Sequence, residues 1–333
     1  MPDAIIAGNI HFESIINKNE EIVLKLAGGS ALYATAGFIL WGKKPGLLAK
    51  IREDHSTNWM ADFRDAGCDT TGITKTIESI DQDRFYAIDE ASTINTDNPQ
   101  KYFFKFKQPL PKFLLGYEVP QISNEINRAS HPSSIKPEEI PEDYLKVNHL
   151  VMTPMDLNSH MMVPPYYRSQ TEGDVICCGS ASFMQPSFWY EFPPLIRGSD
   201  VFITNEMQLK RLFLGKTDAI WEMIEFVADT GIEIIAVFNE NKSHYLFDQP
   251  SNKKYEIPAY TTEMIDPIGA YATFCGGFAA GYITHYDPRE SALMASVAAS
   301  IKNEGTGPLY VMQTLPELAQ ARLEMLRDEA IEV

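Results

Sequence analysis

The chain has 333 residues, 44% hydrophobic and 22% charged, with 20 Gly and 21 Pro. This composition is that of an ordinary globular protein and excludes a collagen-like, coiled-coil or wholly disordered chain. The 45 acidic against 28 basic side chains give a net charge of −17, which disfavours nucleic acid as a partner. A helix terminus can still hold a small anion locally.

Cysteine and histidine patterns exclude further classes. The four cysteines include the adjacent pair Cys177 and Cys178 and form no C-x-x-C motif, so we expect a reduced, cytoplasmic chain. The histidines are unclustered, and we expect no metal site. The N-terminal residues lack the cationic start of a secretory signal. The longest uncharged apolar stretch, 268–283, is shorter than the ~20 residues of a membrane span. Its Gly277-x-x-x-Gly281 spacing also occurs in membrane helix dimers, but a buried helix of a globular core is favoured.

Short β-forming runs separated by glycine turns open the chain. The first part is predicted to contain strands at 4–7, 12–16, 21–26 and 47–51, and helices at 30–40 and 58–66. Ser30 follows the Gly28–Gly29 turn and is predicted to cap the first helix, and Gly67 to end the second.

The middle of the chain carries two further features. Alternating residues over 84–107, around a turn-rich stretch at 95–99, predict a β-hairpin. Residues 121–146 are polar and contain several prolines, and they predict a surface crossing.

A second series then alternates apolar runs with helical segments. Strands are predicted at 149–152, 175–178, 201–204 and 232–238, and helices at 207–214, 218–230, 289–303 and 315–329. Alternation of this kind is typical of a parallel sheet covered on both faces. No repeat or domain-separating linker occurs, so residues 1–333 are predicted to form one large α/β domain.

The segment from Glu263 to Gly281 carries the clearest chemical signal. An Asp-Pro break is followed by Gly269 and Ala270 at the start of an apolar helix. Free N–H groups and the helix dipole at such a start form an anion pocket. A plain Asp-Pro turn before a helix accounts for the same residues.

The chain resembles the PfkB/ribokinase family of carbohydrate and nucleoside kinases. The family signature D-[ST]-T-G-A-G-D-x-F-x-x-G-F corresponds to residues 266–278, DPIGAYATFCGGF. Further similar motifs, in the family's order, lie at 8–13 and 28–34, 51–54, 67–73, 205–208 and 298–305. The resemblance implies a ribokinase-like three-layer α/β/α core with a mainly parallel central sheet. It also implies a small β-sheet lid, with strands within 10–26 and 84–107, that pairs two subunits into a homodimer.

The resemblance further implies ATP and Mg²⁺ as cofactors, a sugar or nucleoside as acceptor, and a set of site residues. The implied anion hole is Gly269, Ala270 and Tyr271, and the family's general base corresponds to Ala272. The implied acceptor site is His11, Glu13, Gly28, Gly29, Ser30 and Tyr33. The implied nucleotide site is Asn205, Gln208, Asn239 and Lys302.

Several of these positions depart from the family pattern. Ala272 takes the place of the aspartate base, and Tyr271 that of a glycine whose backbone approaches the phosphate. A positioned base contributes about 10²–10⁴ in rate and an oxyanion-hole donor about 10²–10³. Gln208 replaces a glutamate that organises magnesium-bound phosphates, although Asn205 and Gln208 also fit a helix capping box. The nucleotide turn at 237–242 lacks both family glycines.

The acceptor side keeps a carboxylate, Glu13, one methylene longer than the family aspartate, while His11 also fits an ordinary strand residue. The nearest acids that could replace the base are Asp266, Glu263 and Glu304, of which Asp266 lies on the wrong side of the glycine turn. Three functions stay open: an active ATP-dependent kinase, an inactive kinase-fold protein that binds a metabolite or a protein, and an unrelated doubly wound protein. The residues favour weak or lost phosphoryl transfer on the kinase fold.

Overall fold

The computed structural model describes residues 1–78, 80, 83–120, 131–240 and 242–333. The strands are β1 (Ala4–Ala7), β2 (His11–Ile16), β3 (Ile22–Gly28), β4 (Pro45–Arg52), β5 (Asp69–Thr76), β6 (Asp83–Ile88), β7 (Ile94–Asn95), β8 (His149–Met152), β9 (Asp174–Cys178), β10 (Val201–Asn205), β11 (Ile234–Phe238), β12 (His244–Asp248), β13 (Lys253–Ile257) and β14 (Ile331–Glu332). The helices are α1 (Ser30–Ile39), α2 (Met60–Asp65), α3 (Pro99–Lys105), α4 (Leu157–Gln170), α5 (Phe192–Ile196), α6 (Glu206–Leu212), α7 (Ile220–Ala228), α8 (Ala270–His285), α9 (Pro288–Asn303), α10 (Pro308–Met312) and α11 (Pro316–Arg327).

Most strands form one large sheet in the order β14-β13-β12-β11-β10-β9-β8-β1-β4-β5. In this order, every neighbouring pair from β11 through β10, β9, β8, β1 and β4 to β5 is parallel. The pairs β11–β12, β12–β13 and β13–β14 are antiparallel. The predicted mainly parallel central sheet is thereby confirmed. Because the carboxyl ends of parallel strands meet at one edge, the segments after β1, β9, β10 and β11 lie side by side.

Helices cover both faces of this sheet, and alternate residues of each strand supply the two cores. Ile203 packs with α1, α8 and α9, whereas the adjacent Phe202 packs with α6 and α7. A second cluster on that other face includes Val163 of α4. The arrangement is the predicted three-layer α/β/α core.

Close contact between α1 and α8 brings their amino ends together. A Cβ at Gly276 would overlap the carbonyl oxygen of Ala34, and one at Gly37 the carbonyl oxygen of Thr273. Larger residues at these glycines would separate the two helices. The contact therefore fixes the start of α8 against the turn that precedes α1.

A second sheet, in the order β3-β2-β6-β7, lies over the carboxyl edge of the large sheet and is called the lid below. Ile15 and Ile88 on its inner face pack against the start of α8. Its outer face, including Ile16 and Phe85, is covered by α3 and the segment that follows it. The lid strands fall within or beside the predicted ranges.

Three local predictions are wrong. The stretch 84–107 is not a simple hairpin: β6 and β7 pair, but Asn98 caps α3, which begins at Pro99. Ser30 is the first residue of α1 rather than its cap, and its hydroxyl donates to the carbonyl of Pro154. Residues 131–146 pack Ile135 and Tyr144 into the core rather than only crossing the surface, while 121–130 lie outside the described residues.

No helix among the described residues is long and apolar enough to cross a membrane.

Candidate functional site

The start of α8 lies at the carboxyl edge of the sheet, under the lid. Gly269 precedes the helix with φ 87°, a left-handed conformation that glycine adopts without strain. The Tyr33 ring lies against this glycine, so that a Cβ at position 269 would overlap the ring. The N–H of Ala270 already donates to the carbonyl of Pro267. The expected anion hole thus has an aromatic ring against its glycine, and one of its N–H groups is already hydrogen-bonded.

Ala272, at the position of the family base, lies in an apolar cluster. It is 6% exposed and shares the cluster with Ile15 and Ile88 of the lid, Tyr33 of α1 and Ile268. A methyl group at this place accepts no proton, and its neighbours exclude water. The geometry offers no general base at this position.

Tyr271 fills the space between α8 and the ends of two strands. Its hydroxyl donates to the carbonyl of Ile203 at 2.9 Å and lies 3.2 Å from that of Gly179, and its ring centroid lies 6.0 Å from that of Phe238. Burial, and next the neighbouring Cys275, raise the pKa of this phenol well above its ordinary value. Tyr271 is therefore a neutral donor that closes the carboxyl ends of β9 and β10.

Asn205 and Gln208 occupy the end of β10 and the first turn of α6. The Asn205 side chain accepts a hydrogen bond from the Gln208 N–H at 2.8 Å, which is an ordinary helix cap. The Gln208 side chain lies 3.4 Å from the hydroxyl of Thr204 and beside Gly179. The structure thus brings Gln208 and Tyr271 to the same strand end, and both are uncharged.

Glu13, the expected acceptor-binding carboxylate, is 1% exposed and already has three donors. Tyr33 donates its hydroxyl at 2.6 Å, the Gly29 N–H donates at 3.1 Å, and the His11 ring nitrogen lies at 3.0 Å. A Cβ at Gly28 would overlap the carboxylate, which explains the glycine there. Five of the six residues predicted to bind the acceptor substrate therefore lie together, but they contact one another.

Ser30, the sixth predicted acceptor residue, points the other way. Its hydroxyl donates to Pro154 and accepts from the N–H of Asn9 at 3.1 Å, and so joins α1 to the segments after β1 and β8. The residue fixes the turn rather than facing the space under the lid.

Lys302 was expected beside the nucleotide, but it is completely buried in the core. Its ammonium donates to the carbonyls of Asp266 and Gly305, each at 2.8 Å, and lies 3.3 Å from the Asp266 carboxylate. Burial raises the pKa of Asp266 and lowers that of Lys302, and each charge opposes the shift of the other. In this pairing the Lys302 side chain turns inward to a buried carboxylate and does not reach the surface.

The three acids that could replace the missing base are either bound to other groups or exposed to solvent. Asp266 accepts the N–H of Ile268 at 2.8 Å with its second oxygen. Glu304 binds Arg322 through both oxygens, at 2.8 and 2.9 Å. Glu263 is exposed to solvent. None of the three stands free beside the start of α8 as a replacement base.

A cleft of about 360 Å³ opens between the end of β11 and α9, and is called the β11 cleft below. Its lining includes Phe238, Asn239, His244, Pro258, Tyr260, Thr261, Thr262, Ala299, Ser300 and Asn303. His244 is buried, and burial lowers its pKa to about 3, so the ring is neutral and accepts the Asn239 N–H at 3.1 Å. Asn239 and the end of the 298–305 segment, both of which the family resemblance relates to the nucleotide, contribute to this lining.

Part of this lining is predictable from the sequence. The motifs indicate Asn239 and the 298–305 segment, without singling out Asn303 within it, and they give no signal for His244 or Pro258. Asn303 was within the matched tail motif and was the available signal, whereas strands β12 and β13, which bring in His244 and Pro258, were not predicted. Asn241, part of the predicted nucleotide turn, lies outside the described residues.

Comparisons with known proteins agree with the fold. Residues 169–315 match the model of the pfkB family carbohydrate kinases. This segment runs from the end of α4 through α10 and includes the start of α8 and most of the cleft lining. The chain has a ribokinase-type fold and carries a PfkB-family segment. No curated protein matches it significantly.

The solved structures similar to this PfkB-like chain share its fold at low identity. A provisionally named ribokinase II from E. coli, in complex with ATP and Mg²⁺, has a TM-score of 0.72 at 12% identity, covering 98% of this chain and 100% of that one. A Burkholderia thailandensis nucleoside kinase in complex with inosine has a TM-score of 0.68 at 13% identity, with 98% and 99% covered. Ribokinase from Thermotoga maritima has a TM-score of 0.68 at 15% identity, with 97% and 100% covered.

The residues of this chain fit the two halves of an ATP–magnesium complex unequally. The β11 cleft offers room and polar groups for a small ligand. On the phosphate side, Tyr33 covers Gly269, Tyr271 closes the strand ends, and the neutral Gln208 is a poor ligand for a hard cation. The phosphate and magnesium side does not fit.

Proposed function

We propose that this PfkB-like chain is a carbohydrate kinase-like protein in which ATP-dependent transfer to a sugar or nucleoside hydroxyl is weak or lost. In this proposal the chain keeps a small-molecule site on the kinase fold. The observation that carries the proposal is the apolar surrounding of Ala272, where the reaction needs a proton acceptor. The loss of a base lowers rates by about 10²–10⁴. Obstruction of an oxyanion-hole donor lowers the rate by a further ~10²–10³-fold.

The acceptor side supports the same proposal. An acceptor sugar would have to displace Tyr33 or His11 from Glu13 in order to bind its carboxylate. The lid is held down as well: the Lys18 N–H donates to the carbonyl of Ile265 at 3.1 Å, and the Asn17 amide donates to Thr306 at 3.2 Å. Opening the space under the lid therefore breaks hydrogen bonds and exposes the apolar cluster around Ala272.

Assembly and location follow as parts of the proposal. Because α3 and its following segment cover the outer face of the lid, a homodimer would pair lids through the edge strand β3, where Leu24 is 42% exposed. Sedimentation of the purified chain tests this, and a monomer at micromolar concentration would contradict it. The four cysteines are free and buried, in agreement with the cytoplasmic location expected from the sequence.

Phosphoryl transfer is tested directly by coupled ADP release. The full chain is assayed with ATP, MgCl₂ and a panel of sugars and nucleosides, beside an active ribokinase as positive control. We expect turnover far below the ~1–10³ s⁻¹ of ordinary enzymes. Turnover above about 1 s⁻¹ with any acceptor would overturn the proposal and support an active kinase.

A gain-of-function pair separates the causes of the loss. Ala272→Asp combined with Tyr271→Gly restores the family residues at the start of α8. We expect little gain, because Tyr33 and Glu13 still fill the acceptor side. A large gain would show that the two replaced positions alone prevent transfer and that the acceptor side is open.

A further inference from the structure

A second cavity, of about 590 Å³, lies where the lid joins the end of β4, and is called the lid-base cavity below. Phe12 and Asp83, which pair across β2 and β6, line it from the lid, and Arg52 and Ser56 line it from the core. We infer that this cavity binds a free α-amino acid with an apolar side chain. Its described lining shares no residue with the expected acceptor and nucleotide sites, so the inference goes beyond the proposed function.

The lid separates this cavity from Glu13. Side chains of β2 alternate between the two faces of the lid, so that Glu13 lies on the inner face and Phe12 on the outer face. The Phe12 ring stacks on the buried His55, with ring centroids 4.1 Å apart, and is fixed in place. The volume lies within the ~300–1,000 Å³ range of ligand pockets. With Tyr117, Phe12 gives this cavity an aromatic wall.

An irregularity in β3 brings Lys25 to the cavity. The pairing of β2 with β3 shifts register between Glu13 and Ile15, which is a β-bulge. Beside this shift, Lys25 has φ 52°, a left-handed conformation that non-glycine residues adopt at a cost in energy. Its ammonium lies 4.5 Å from the centroid of the Phe113 ring and 5.7 Å from that of Phe12. The strained backbone therefore places a cation on the outer face of the lid.

Lys25 and Asp83 together offer a donor and an acceptor. The Lys25 ammonium and the nearest Asp83 oxygen are 4.0 Å apart, too far for a hydrogen bond. Over the part of the chain that the structure describes, this oxygen has no hydrogen-bond partner and the Lys25 ammonium donates no hydrogen bond. The two side chains are 46% and 35% exposed. A ligand that carries an ammonium beside a carboxylate gives each of them a charge-assisted hydrogen bond.

The remaining charges favour such a zwitterion over an ion of one sign. Arg52 and Asp54 bind each other, with the Arg52 Nε donating at 2.8 Å, and the exposed Glu118 adds an acid. A dianion would meet the carboxylates of Asp83 and Glu118, and a polycation would meet Lys25 and Arg52. A neutral polyol would leave the charges of Lys25 and Asp83 without a charged partner. An α-amino acid carries both charged groups on one carbon, and the aromatic wall suits an apolar side chain.

The experiment is a calorimetric titration of the full chain with each L-α-amino acid that has an apolar side chain, from alanine to tryptophan. The amino acid that binds most tightly is then compared with its N-acetyl and carboxamide forms. We expect a Kd of about 1 mM or lower, and at least roughly tenfold weaker binding of both blocked forms, because each lacks one charge. The absence of binding by every amino acid overturns the inference, as does a blocked form that binds as tightly as the free amino acid. Tighter binding of glucose or glycerol than of any amino acid also overturns it.

Charge-removing variants test the two proposed contacts. Lys25→Asn and Asp83→Asn should each weaken binding at least roughly tenfold. Asparagine suits position 25 because it adopts the left-handed conformation more readily than most residues. Lys216→Asn is the matched control, since Lys216 is exposed after α6 and its ammonium lies 4.8 Å from the centroid of the Trp189 ring. The control should leave affinity unchanged, and equal losses in Lys25→Asn and Lys216→Asn overturn the inference.

An occluding variant tests the location independently. Ser56 lines the cavity and is exposed, so that Ser56→Phe fills the space without removing a buried contact. Amino-acid binding should be lost in this variant, which keeps the inference testable even if Asp83→Asn fails to fold. Unchanged binding in Ser56→Phe overturns the inference.

Discussion

Replacement of Lys302 by methionine tests the buried pair that fixes the loop before α8. Both side chains of the Lys302–Asp266 pair are 0% exposed, and the ammonium also holds the carbonyl of Gly305. Lys302→Met leaves Asp266 as a buried charge without its partner. Such losses cost about 3–5 kcal/mol. This is a large share of the ~5–15 kcal/mol by which a native protein is stable.

The pH dependence of this loss has a definite sign. Burial already raises the pKa of Asp266 in the native protein, and Lys302 opposes that rise. Without Lys302 the pKa rises further above its unfolded value, so the folded state binds more protons than the unfolded state. Stability of the variant then falls as pH increases, by up to about 1.4 kcal/mol per pH unit, until the folded pKa is passed. The loss of unfolding free energy caused by Lys302→Met should be smaller at about pH 5 than at about pH 8.

The assay is urea unfolding of wild type and variants at these two pH values. Lys105→Met, which removes an exposed pair with Glu20, is the matched control and should cost about 0–1 kcal/mol. Asp266→Asn added to Lys302→Met removes the stranded charge and should recover most of the loss. A Lys302→Met deficit below about 1 kcal/mol, or one that does not change with pH, would refute the reasoning.

Two further predictions concern buried polar groups. Tyr33→Phe removes a 2.6 Å hydrogen bond to a buried carboxylate and should cost about 1.5–3 kcal/mol in urea unfolding. Tyr260→Phe is the control, because the Tyr260 hydroxyl lies 4.0 Å from a methionine sulfur, and its free energy of unfolding should stay within about 0.5 kcal/mol of wild type. Equal losses of unfolding free energy in the two variants would contradict the hydrogen-bond network around Glu13. Burial lowers the pKa of His160 to about 4 and of His244 to about 3. Since both folded values lie below the unfolded one of about 6.5, stability is lost as pH falls below that value, by roughly 2 kcal/mol each at about pH 5. NMR titration of the imidazoles checks this, and a midpoint near 6.5 for either ring would disprove it.

The regular elements of the fold were predictable because periodic burial determines them. Strand β8 has the predicted bounds, and α9 begins one residue before its predicted start. The hairpin prediction over 84–107 failed because aromatic residues favour strands in general. Here Phe103 packs on the lid from a helix whose Asn98–Pro99 start was the available signal.

The site was predictable at the level of residue identity but not of contacts. Ala272 and Tyr271 could be recognised as departures because a family motif surrounds them. That Lys302 turns inward to Asp266 depends on tertiary packing between α9 and the loop before α8, and no local pattern specifies it. The saturation of Glu13 likewise depends on bringing β2 and α1 together.

The central claim is that the phosphate-transfer side of this PfkB-like chain is filled by its own side chains. Single-turnover transfer, with the chain in excess over γ-labelled ATP and with mass-spectrometric detection of phosphorylated sugar or nucleoside, tests it most directly. The account predicts no phosphorylated acceptor above the level without protein. Complete transfer of the label within about one second, the timescale of an ordinary kinase, would contradict it.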